Sequence, residues 1–230
     1  MRLPPLIAGL LLKRYKRFLA DVRLDDGSVV TVHCPNSGSM KGCAIPGSRV
    51  FLSHSANLKR IYPMTWELVK SKGVWVGINT FLPNRLAKEA IERGVIEELQ
   101  GYDTIRSEVS YGDRSRIDLL LEGSRGPCFV EVKNVTLVED GRALFPDAVT
   151  TRGQKHLRQL IKVVEKGERG VIFFVIQRSD AKTLSPADDI DPEYGRLLRL
   201  ALDNGVEALA YQADVTEKEI RLERRLPLIL

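Results

Sequence analysis

The chain has 230 residues, 43% of them hydrophobic and 28% charged, which is typical of a globular protein with one large or two small domains. No apolar run approaches the roughly 18 residues of a membrane-spanning helix, and the short apolar run of residues 6–12 leads into basic residues instead of a signal-peptide cleavage site. The three cysteines are odd in number and lack CxxC spacing, so we expect buried thiols in a reducing cytoplasm, without a disulfide framework or a zinc site.

Positive charge is concentrated in the first third of the chain. Residues 1–80 contain 12 Lys and Arg against 4 Asp and Glu, whereas residues 81–230 contain 23 against 26. This asymmetry favours a polyanionic partner, and it favours nucleic acid over a membrane because no amphipathic basic helix is visible. The alternative is a basic surface that only improves solubility.

The first 80 residues are predicted to be rich in β-structure. Candidate strands, separated by turn residues, lie at 13–24, 28–34, 49–54, 61–69 and 74–78. Five short strands in this length predict a small barrel of the OB type, which is a common platform for nucleic acids.

Side chains alternate between two faces along the first of these strands. The face expected to line the barrel interior carries Phe18, Ala20, Val22 and Leu24. The opposite face carries Lys13, Tyr15 and Arg17. An aromatic ring between two cations is suited to holding a single strand by base stacking and phosphate contacts, so these three residues are candidate nucleic-acid ligands. Tyr15 is equally consistent with a half-buried surface aromatic.

From about residue 81 the pattern changes to a mixture of helices and strands. Helices are predicted at 83–93, 151–166 and 192–204, the first two ending at glycines. Strands are predicted at 104–111, 116–122, 128–136, 171–177 and 206–211, with a last extended segment at 220–222. This order predicts an α/β sandwich, with the fully apolar strand at 171–177 in the centre of the sheet.

Two neighbouring apolar strands of this domain carry ionisable side chains, which are costly to bury unless they are paired or bind a metal. Asp118 lies in one strand, and Glu131 and Lys133 lie on one face of the next. A turn near residues 123–126 folds the two strands into a hairpin and brings Asp118 close to Glu131. An Asp followed by Glu-x-Lys across a hairpin is typical of metal-assisted phosphodiester cleavage.

We therefore expect a site for Mg²⁺ or Mn²⁺ in which Asp118 and Glu131 are ligands, joined by the main-chain carbonyl of Val132. Lys133 is expected to stabilise charge on the reacting phosphate or to orient the attacking water. These three side chains are the candidate catalytic residues.

Two points about this site stay open. Glu89, in the middle of a predicted helix, is a candidate third metal ligand, although a Glu in such a position is often only a solvated helix former. A purely structural alternative is a buried salt bridge between Asp118 and Lys133, or between Glu131 and Arg116.

The segment 145–156 leads into the second predicted helix of this domain. A helix N-terminus with cations in its first turn favours phosphate. The candidate nucleic-acid ligands there are Arg152, Gln154, Lys155 and Arg158. The alternative is an ordinary Thr-capped helix with a basic solvent face. We favour a functional role because this loop and His156 follow directly on the hairpin.

Six segments are distinctive: residues 16–22, 34–40, 76–80, 115–118, 130–137 and 145–157. Together they resemble the sugar fermentation stimulation protein A family of bacteria and archaea over nearly the whole chain. The resemblance implies an OB-like domain over residues 1–80 and a PD-(D/E)xK nuclease-like α/β/α sandwich over residues 81–230. It also implies the same site residues and a DNA-binding protein with a proposed regulatory role in maltose metabolism. Ser37 replaces a usual Thr but keeps the hydroxyl group.

Two main functions follow. The first is Mg²⁺-dependent hydrolysis of DNA with low sequence specificity, since no helix-turn-helix or other base-reading motif is visible. The second is a non-catalytic DNA-binding regulator of sugar metabolism in which the nuclease fold is only a scaffold. The intact Asp, Glu and Lys set favours the first, because a pure binder has no need for carboxylates that repel phosphate. A third possibility is a basic structural module of a larger assembly. No phosphate-binding P-loop is present, and we expect no small-molecule cofactor.

Overall fold

The computed structural model describes residues 1–57, 59–111 and 115–230, and at Ser115 only the main chain. The N-terminal third forms a six-stranded sheet that curls into a barrel. Its strands are β1 (Leu6–Tyr15), β2 (Leu19–Leu24), β3 (Val29–His33), β4 (Arg49–His54), β5 (Met64–Ser71) and β6 (Val74–Gly77). Their order is β3-β2-β1-β4-β5-β6, and a pairing of β3 with β5, at His33 and Thr65, closes the first five strands. The predicted OB-like barrel is confirmed.

The predicted first strand was wrong in its extent, because residues 13–24 span the end of β1, a tight turn and all of β2. The turn is made by Lys16 and Arg17, whose φ angles are 50° and 65°. Phe18 is therefore 53% exposed and does not line the barrel, whereas Ala20 and Val22 are buried as expected. A left-handed turn without Gly, Asn or Asp has no sequence signature, and the alternation of side chains continued across it.

The remaining residues form an α/β domain. Its strands are β7 (Thr104–Tyr111), β8 (Ser115–Glu122), β9 (Cys128–Val135), β10 (Leu137–Glu139), β11 (Arg142–Phe145), β12 (Arg169–Ile176), β13 (Thr183–Pro186), β14 (Glu207–Val215) and β15 (Ile220–Arg225). Six of them form the central sheet, in the order β15-β14-β12-β9-β8-β7, with β9, β12 and β14 parallel. The small sheet β10-β11-β13 was not predicted, because its strands of three or four residues are too short to show alternation.

Three helices cover the two faces of the central sheet: α1 (Pro83–Glu92), α2 (Thr151–Glu165) and α3 (Pro192–Asp203). Leu86 of α1 packs with Val130 and Phe173 on one face. Leu157 of α2 packs with Phe174 on the other face, in a cluster that also includes α3. The chain therefore forms the three-layer arrangement that the order of elements predicts. Among the described residues, no helix is both long and apolar enough to cross a bilayer.

The ends of α2 and α3 follow from capping side chains. The Thr150 hydroxyl accepts a hydrogen bond from Gly153 N at 3.0 Å, which begins α2. The Asp191 carboxylate accepts one from Tyr194 N at 3.0 Å, which begins α3. Helix α1 starts with Pro83 at its first turn and ends before Gly94, whose φ of 75° suits glycine.

The barrel and the α/β domain share apolar packing. Phe51 and Leu68 of the barrel belong to the same buried cluster as Leu86 of α1. At the junction, Gly77 N donates to the main-chain oxygen of Gln177 at 2.9 Å. A Cβ atom at position 77 would lie 2.5 Å from Gln177 Oε1, so any other residue there would displace the buried Gln177 side chain. The contact fixes the barrel directly against the C-terminal end of β12.

Candidate active site

The hairpin of β8 and β9 brings the two predicted acidic residues together. The strands pair in antiparallel register, Leu119 with Val130 and Leu121 with Cys128. Continuing that register places Asp118 across from Glu131, and Asp118 Oδ2 accepts a hydrogen bond from Val132 N at 2.8 Å. The geometry follows from the short turn at 123–126, which leaves only one way to pair the two apolar strands.

Glu131 is buried, with only 2% of its surface exposed. Its Oε1 atom accepts a hydrogen bond from Lys133 Nζ at 2.6 Å and makes a short contact with His156 Nδ1. Its Oε2 atom is also buried, and no hydrogen-bond partner for it exists within the described part of the chain. A buried carboxylate oxygen without a partner costs free energy, which makes Glu131 a candidate for binding a group from outside the chain.

His156, on α2, holds Glu131 from the opposite side to Lys133. We assign the ring proton to Nδ1, because that atom faces the Glu131 carboxylate and the other ring nitrogen, Nε2, lies 3.4 Å from the Nε–H donor of Arg152. In this tautomer Nδ1 donates to Glu131 and Nε2 accepts from Arg152, while Lys133 Nζ, which lies 3.0 Å from Nδ1, donates to Glu131 Oε1 instead. The sequence placed His156 near the site but gave it no role.

Asp118 is held in turn by Asn84, in the first turn of α1. Asn84 Nδ2 donates to Asp118 Oδ1 at 2.9 Å and to Glu108 Oε1 at 3.1 Å. Glu108 has a φ of 56°, a left-handed conformation that non-glycine residues adopt at some energetic cost. A third carboxylate, which the sequence did not identify, therefore lies beside the Asp118 side chain.

The two buried carboxyl groups titrate differently. Burial, and then the negative charge of Glu131, raise the pKa of Asp118 to about 6. Burial also acts to raise the pKa of Glu131, but the hydrogen bond from His156 and the charge of Lys133 outweigh it and lower that pKa overall. One acid is thus held ionised while its neighbour titrates close to neutrality, a pattern typical of functional sites.

These side chains line a cavity of about 240 Å³. It adjoins a larger groove of about 650 Å³ between the barrel and the α/β domain, and Thr80 and Asn134 line both spaces. One wall of the groove is formed by the loop 36–39 of the barrel and the other by the segment 144–150 before α2. The carboxylates therefore lie at one end of a continuous surface depression.

Glu89 does not belong to this cluster, and the prediction of a metal ligand there is corrected. Its Oε1 atom pairs with the amino group of Met1 at 2.9 Å and with Arg93 at 3.3 Å. The α1 side chain that reaches the cluster is Asn84, because the packing of Leu86 and Ala90 against the sheet turns the first turn of the helix towards β8.

The four predicted ligands on α2 separate onto different faces of the helix. Arg152 lines the carboxylate cavity, four residues before His156 on the same face. Gln154 Nε2 instead donates to Asp191 Oδ1 at 2.9 Å, and Arg158 pairs with Glu193 at 2.8 Å. Both point towards α3, so the structure does not support a phosphate contact by either. Lys155 is exposed on the helix surface.

The predicted ligands on the barrel are likewise only partly brought to the groove. Arg17 lines it. The Tyr15 hydroxyl donates to Asp21 at 2.9 Å, and Lys13 Nζ lies 5.3 Å from the Tyr15 ring centroid and 3.4 Å from Asp21. This local cluster satisfies Tyr15 internally, as the alternative of a half-buried surface aromatic requires.

Within the described residues, no group of three or more His, Cys, Asp and Glu side chains is arranged to hold a metal ion. Two carboxylates, Asp118 and Glu131, are the acidic groups that line the cavity. A hard cation there would be completed by the main-chain carbonyl of Val132, water and substrate oxygens. Mg²⁺ is commonly bound in this way, through one or two carboxylates with several waters retained.

Comparison with known proteins places this geometry in context. Two family models match the chain: the SfsA N-terminal OB domain over residues 12–78, and the sugar fermentation stimulation protein RE domain over residues 81–219. The chain is similar to a sugar fermentation stimulation protein homolog of Pelobacter propionicus, with 74% identity over 230 residues and all of both chains covered. It is 68% identical to a homolog of Geobacter sulfurreducens, with 98% of this chain and 97% of that protein covered.

A solved structure has the same fold. The structure of Pyrococcus furiosus SfsA in complex with Ca²⁺ matches with a TM-score of 0.91 and 29% sequence identity, covering 100% of this chain and 98% of that chain. The similarity therefore extends over both the barrel and the α/β domain.

Proposed function

Since the chain belongs to the sugar fermentation stimulation protein family, we propose that it binds DNA and hydrolyses phosphodiester bonds at Asp118, Glu131 and Lys133 with Mg²⁺ or Mn²⁺. The observation that carries this proposal is the buried Oε2 atom of Glu131, which has no partner in the described part of the chain. A cation needs a carboxylate oxygen that no protein donor occupies, and Glu131 Oε2 meets that condition among the described residues.

The donor set fits a hard divalent cation. Asp118 and Glu131 supply carboxylate oxygens at one cavity wall, and soft ligands are not among its lining residues. A relative from Pyrococcus furiosus with the same fold has been solved in complex with Ca²⁺, another hard cation with oxygen ligands. When bound, Mg²⁺ supplies Lewis-acid polarisation of the phosphate and lowers the pKa of a bound water.

The protein side chains have distinct roles in this proposal. Asn84 and Val132 N each donate to one oxygen of Asp118, which fixes the carboxylate in one orientation. His156 and Lys133 both contact Glu131 Oε1 and leave Oε2 without a hydrogen-bond partner in the described part of the chain. Lys133 also places a positive charge beside the position of a scissile phosphate, where it offsets the developing negative charge.

The direct test is incubation of the purified protein with labelled DNA in Mg²⁺, Mn²⁺ or EDTA. We expect cleavage with either metal and none in EDTA. Asp118→Asn and Lys133→Ala are expected to abolish cleavage and to leave DNA binding largely intact, because neither removes a groove-lining arginine. Glu89→Gln is the matched control, since it neutralises a carboxylate outside the cavity and should cleave as the wild type does.

Cleavage that persists unchanged in both Asp118→Asn and Lys133→Ala would exclude this site. DNA binding without cleavage under any of the metals would favour the alternative, a non-catalytic DNA-binding regulator of sugar metabolism. Binding that does not weaken with added salt would contradict both, since contacts to phosphates are salt-dependent.

A further inference from the structure

Three exposed apolar side chains either line the groove or directly follow a lining residue in sequence, and they have no part in the carboxylate site. Phe18 is 53% exposed, Phe81 is 68% exposed and Val149 is 67% exposed. Val149 lines the wall formed by the α/β domain, whereas Phe18 and Phe81 directly follow the lining residues Arg17 and Thr80. Isolated exposed apolar residues are ordinary, but several around one cleft are typical of a surface that is covered when the protein functions.

Phe18 and Phe81 both contact the C-terminal end of β3, Phe18 through its main chain and Phe81 through its ring. The main-chain oxygen of Phe18 accepts a hydrogen bond from Cys34 N at 2.8 Å. The Phe81 ring stacks on the His33 ring, with 6.4 Å between the centroids and 15° between the planes. One face of Phe81 is thus supported by a neighbouring ring, while two thirds of the residue stays open to solvent. A supported, exposed ring is suited to receiving another planar group.

The rings are continuous with the groove through their neighbours in sequence. Thr80, next to Phe81, lines both the groove and the carboxylate cavity. Its hydroxyl donates a hydrogen bond to the main-chain oxygen of Pro35. Arg17, next to Phe18, lines the groove. A ligand that stacks on these rings would lie next to Arg17 and Thr80 of the groove, and Thr80 also lines the cavity that contains Asp118.

Positive charge accompanies the rings. Arg14 Nη2 donates to the main-chain oxygens of Arg17, Asn36 and Gly38, at 2.7, 2.8 and 2.9 Å. These bonds tie the turn that carries Arg17 and Phe18 to the loop forming the barrel wall. Arg14 and Arg17 thus line the groove, and Arg152 lines the adjoining carboxylate cavity.

We propose that the groove holds a single, unpaired DNA strand, with bases stacked on Phe81 and Phe18 and phosphates led past Arg17 to the carboxylate cavity. This inference deepens the proposed function and rests on it for the fate of the strand at Asp118 and Glu131. Unpaired bases are required because the bases of a duplex are already stacked on one another and present only their edges. Aromatic side chains beside a basic groove are the usual means of holding single strands without sequence preference.

The test measures binding in EDTA, so that it does not depend on cleavage. The probe is fluorescein-labelled oligodeoxythymidylate of about 12 nucleotides, within the site sizes of OB folds, and its affinity is compared with that of a duplex of equal length. We expect the wild type to prefer the single strand, and Phe81→Ala to weaken single-strand binding by about tenfold, which corresponds to about 1.4 kcal/mol. Duplex binding should be unchanged in this variant.

Two further variants separate stacking from folding. Phe81→Tyr keeps the ring and should bind the single strand as the wild type does. Val29→Ala removes an apolar side chain that is 59% exposed at the other end of β3, and it should have no effect on either probe. Thermal unfolding of each variant verifies that the barrel is intact.

Several outcomes would overturn the inference. They are equal or tighter binding of the duplex by the wild type, wild-type affinity of Phe81→Ala for the single strand, or tighter binding of oligouridylate than of oligodeoxythymidylate. A dimer that dissociates in Phe81→Ala, with affinity unchanged, would assign the rings to self-association. If single-strand binding follows Phe81 but no metal supports cleavage, the groove assignment stands and the proposed hydrolysis fails. If Asp118→Asn abolishes cleavage while Phe81→Ala binds the single strand normally, the proposed hydrolysis stands and the groove assignment fails.

Discussion

Two buried carboxylates lie on either side of helix α2, and they differ in one respect. Glu131 and Asp191 are each only 2% exposed. Asp191 uses both oxygens: Oδ1 accepts from Gln154 Nε2 at 2.9 Å and from Tyr194 N at 3.0 Å, and Oδ2 accepts from Thr150 N at 2.8 Å. Glu131 uses Oε1 alone, since no partner for Oε2 is found in the described residues.

The comparison separates a structural acid from a candidate functional one. Burial is alike at both positions, so it does not distinguish them. What differs is whether the fold supplies hydrogen bonds to every lone pair, as it does for Asp191, which caps α3 and joins it to α2. The same division runs along α2, where Arg152 and His156 face the cavity and Gln154 and Arg158 face α3.

The largest expected effects come from replacing each of these two acids in turn. Glu131→Gln should reduce Mg²⁺-dependent cleavage at least about 100-fold, because a ligand oxygen and its charge are lost. Asp191→Ala should leave cleavage per folded molecule unchanged and lower the free energy of unfolding by about 3 kcal/mol, since it removes a helix cap and leaves buried donors unpaired. Urea denaturation and initial rates measure the two quantities. If cleavage by Asp191→Ala falls only in proportion to the folded fraction, Asp191 is a structural acid as proposed. A larger fall would contradict the distinction between Asp191 and Glu131.

A second prediction concerns pH. The pKa of Asp118 in the folded chain, about 6, lies above its ordinary value of 3.8. The folded state therefore holds the proton more tightly than the unfolded state between these values, and the free energy of unfolding falls as pH rises through that window. In EDTA, Asp118→Asn should remove this fall and be more stable than the wild type at pH 7.5, by on the order of 2 kcal/mol.

The two proteins should converge in stability near pH 4, which denaturation at both pH values verifies. In the wild type, Mg²⁺ should bind more weakly as pH falls below about 6, because the proton competes for the Asp118 carboxylate. An Asp118→Asn protein that is less stable than the wild type at pH 7.5 would contradict the assigned direction of the pKa shift.

The smallest expected effect distinguishes the two faces of α2. Arg152→Ala should weaken DNA binding severalfold and reduce the dependence of log Kd on log salt concentration by about 0.7, the value for one lost phosphate contact on a single strand. Arg158→Ala should change neither quantity, because its guanidinium pairs with Glu193. Anisotropy titrations over a salt series provide the measurement. Equal effects from both variants would place the DNA across α2 and α3 and away from the cavity.

Much of the fold could be predicted because local signals agreed with the final packing. The strand Thr104–Tyr111 matches its predicted bounds, and α2 differs by one residue, since alternation, helical spacing and terminal glycines marked these elements. The proximity of Asp118 and Glu131 was predictable for a similar reason: a hairpin with a short turn has its register fixed within the sequence itself.

The residues whose roles were predicted wrongly or missed depend on how separate helices and strands pack against one another. Asn84 and Glu89 both lie on α1, and only the packing of the helix on the sheet decides that Asn84 reaches Asp118. Gln154 is directed away from the cavity because α3 supplies Asp191 as a partner. Glu108 lies near Asp118 because it adopts a left-handed conformation within β7, and no residue pattern predicts such a conformation.

The apolar packing that joins the barrel to the α/β domain has a mechanical consequence. Phe51 and Leu68 lie in one cluster with Leu86, so any hinge motion that widened the space between the domains would expose hydrocarbon to water. The walls of the groove are therefore kept at a nearly constant spacing. A bound ligand must therefore adapt to the groove, a demand that a flexible single strand, as proposed above, meets more easily than a stiff double helix.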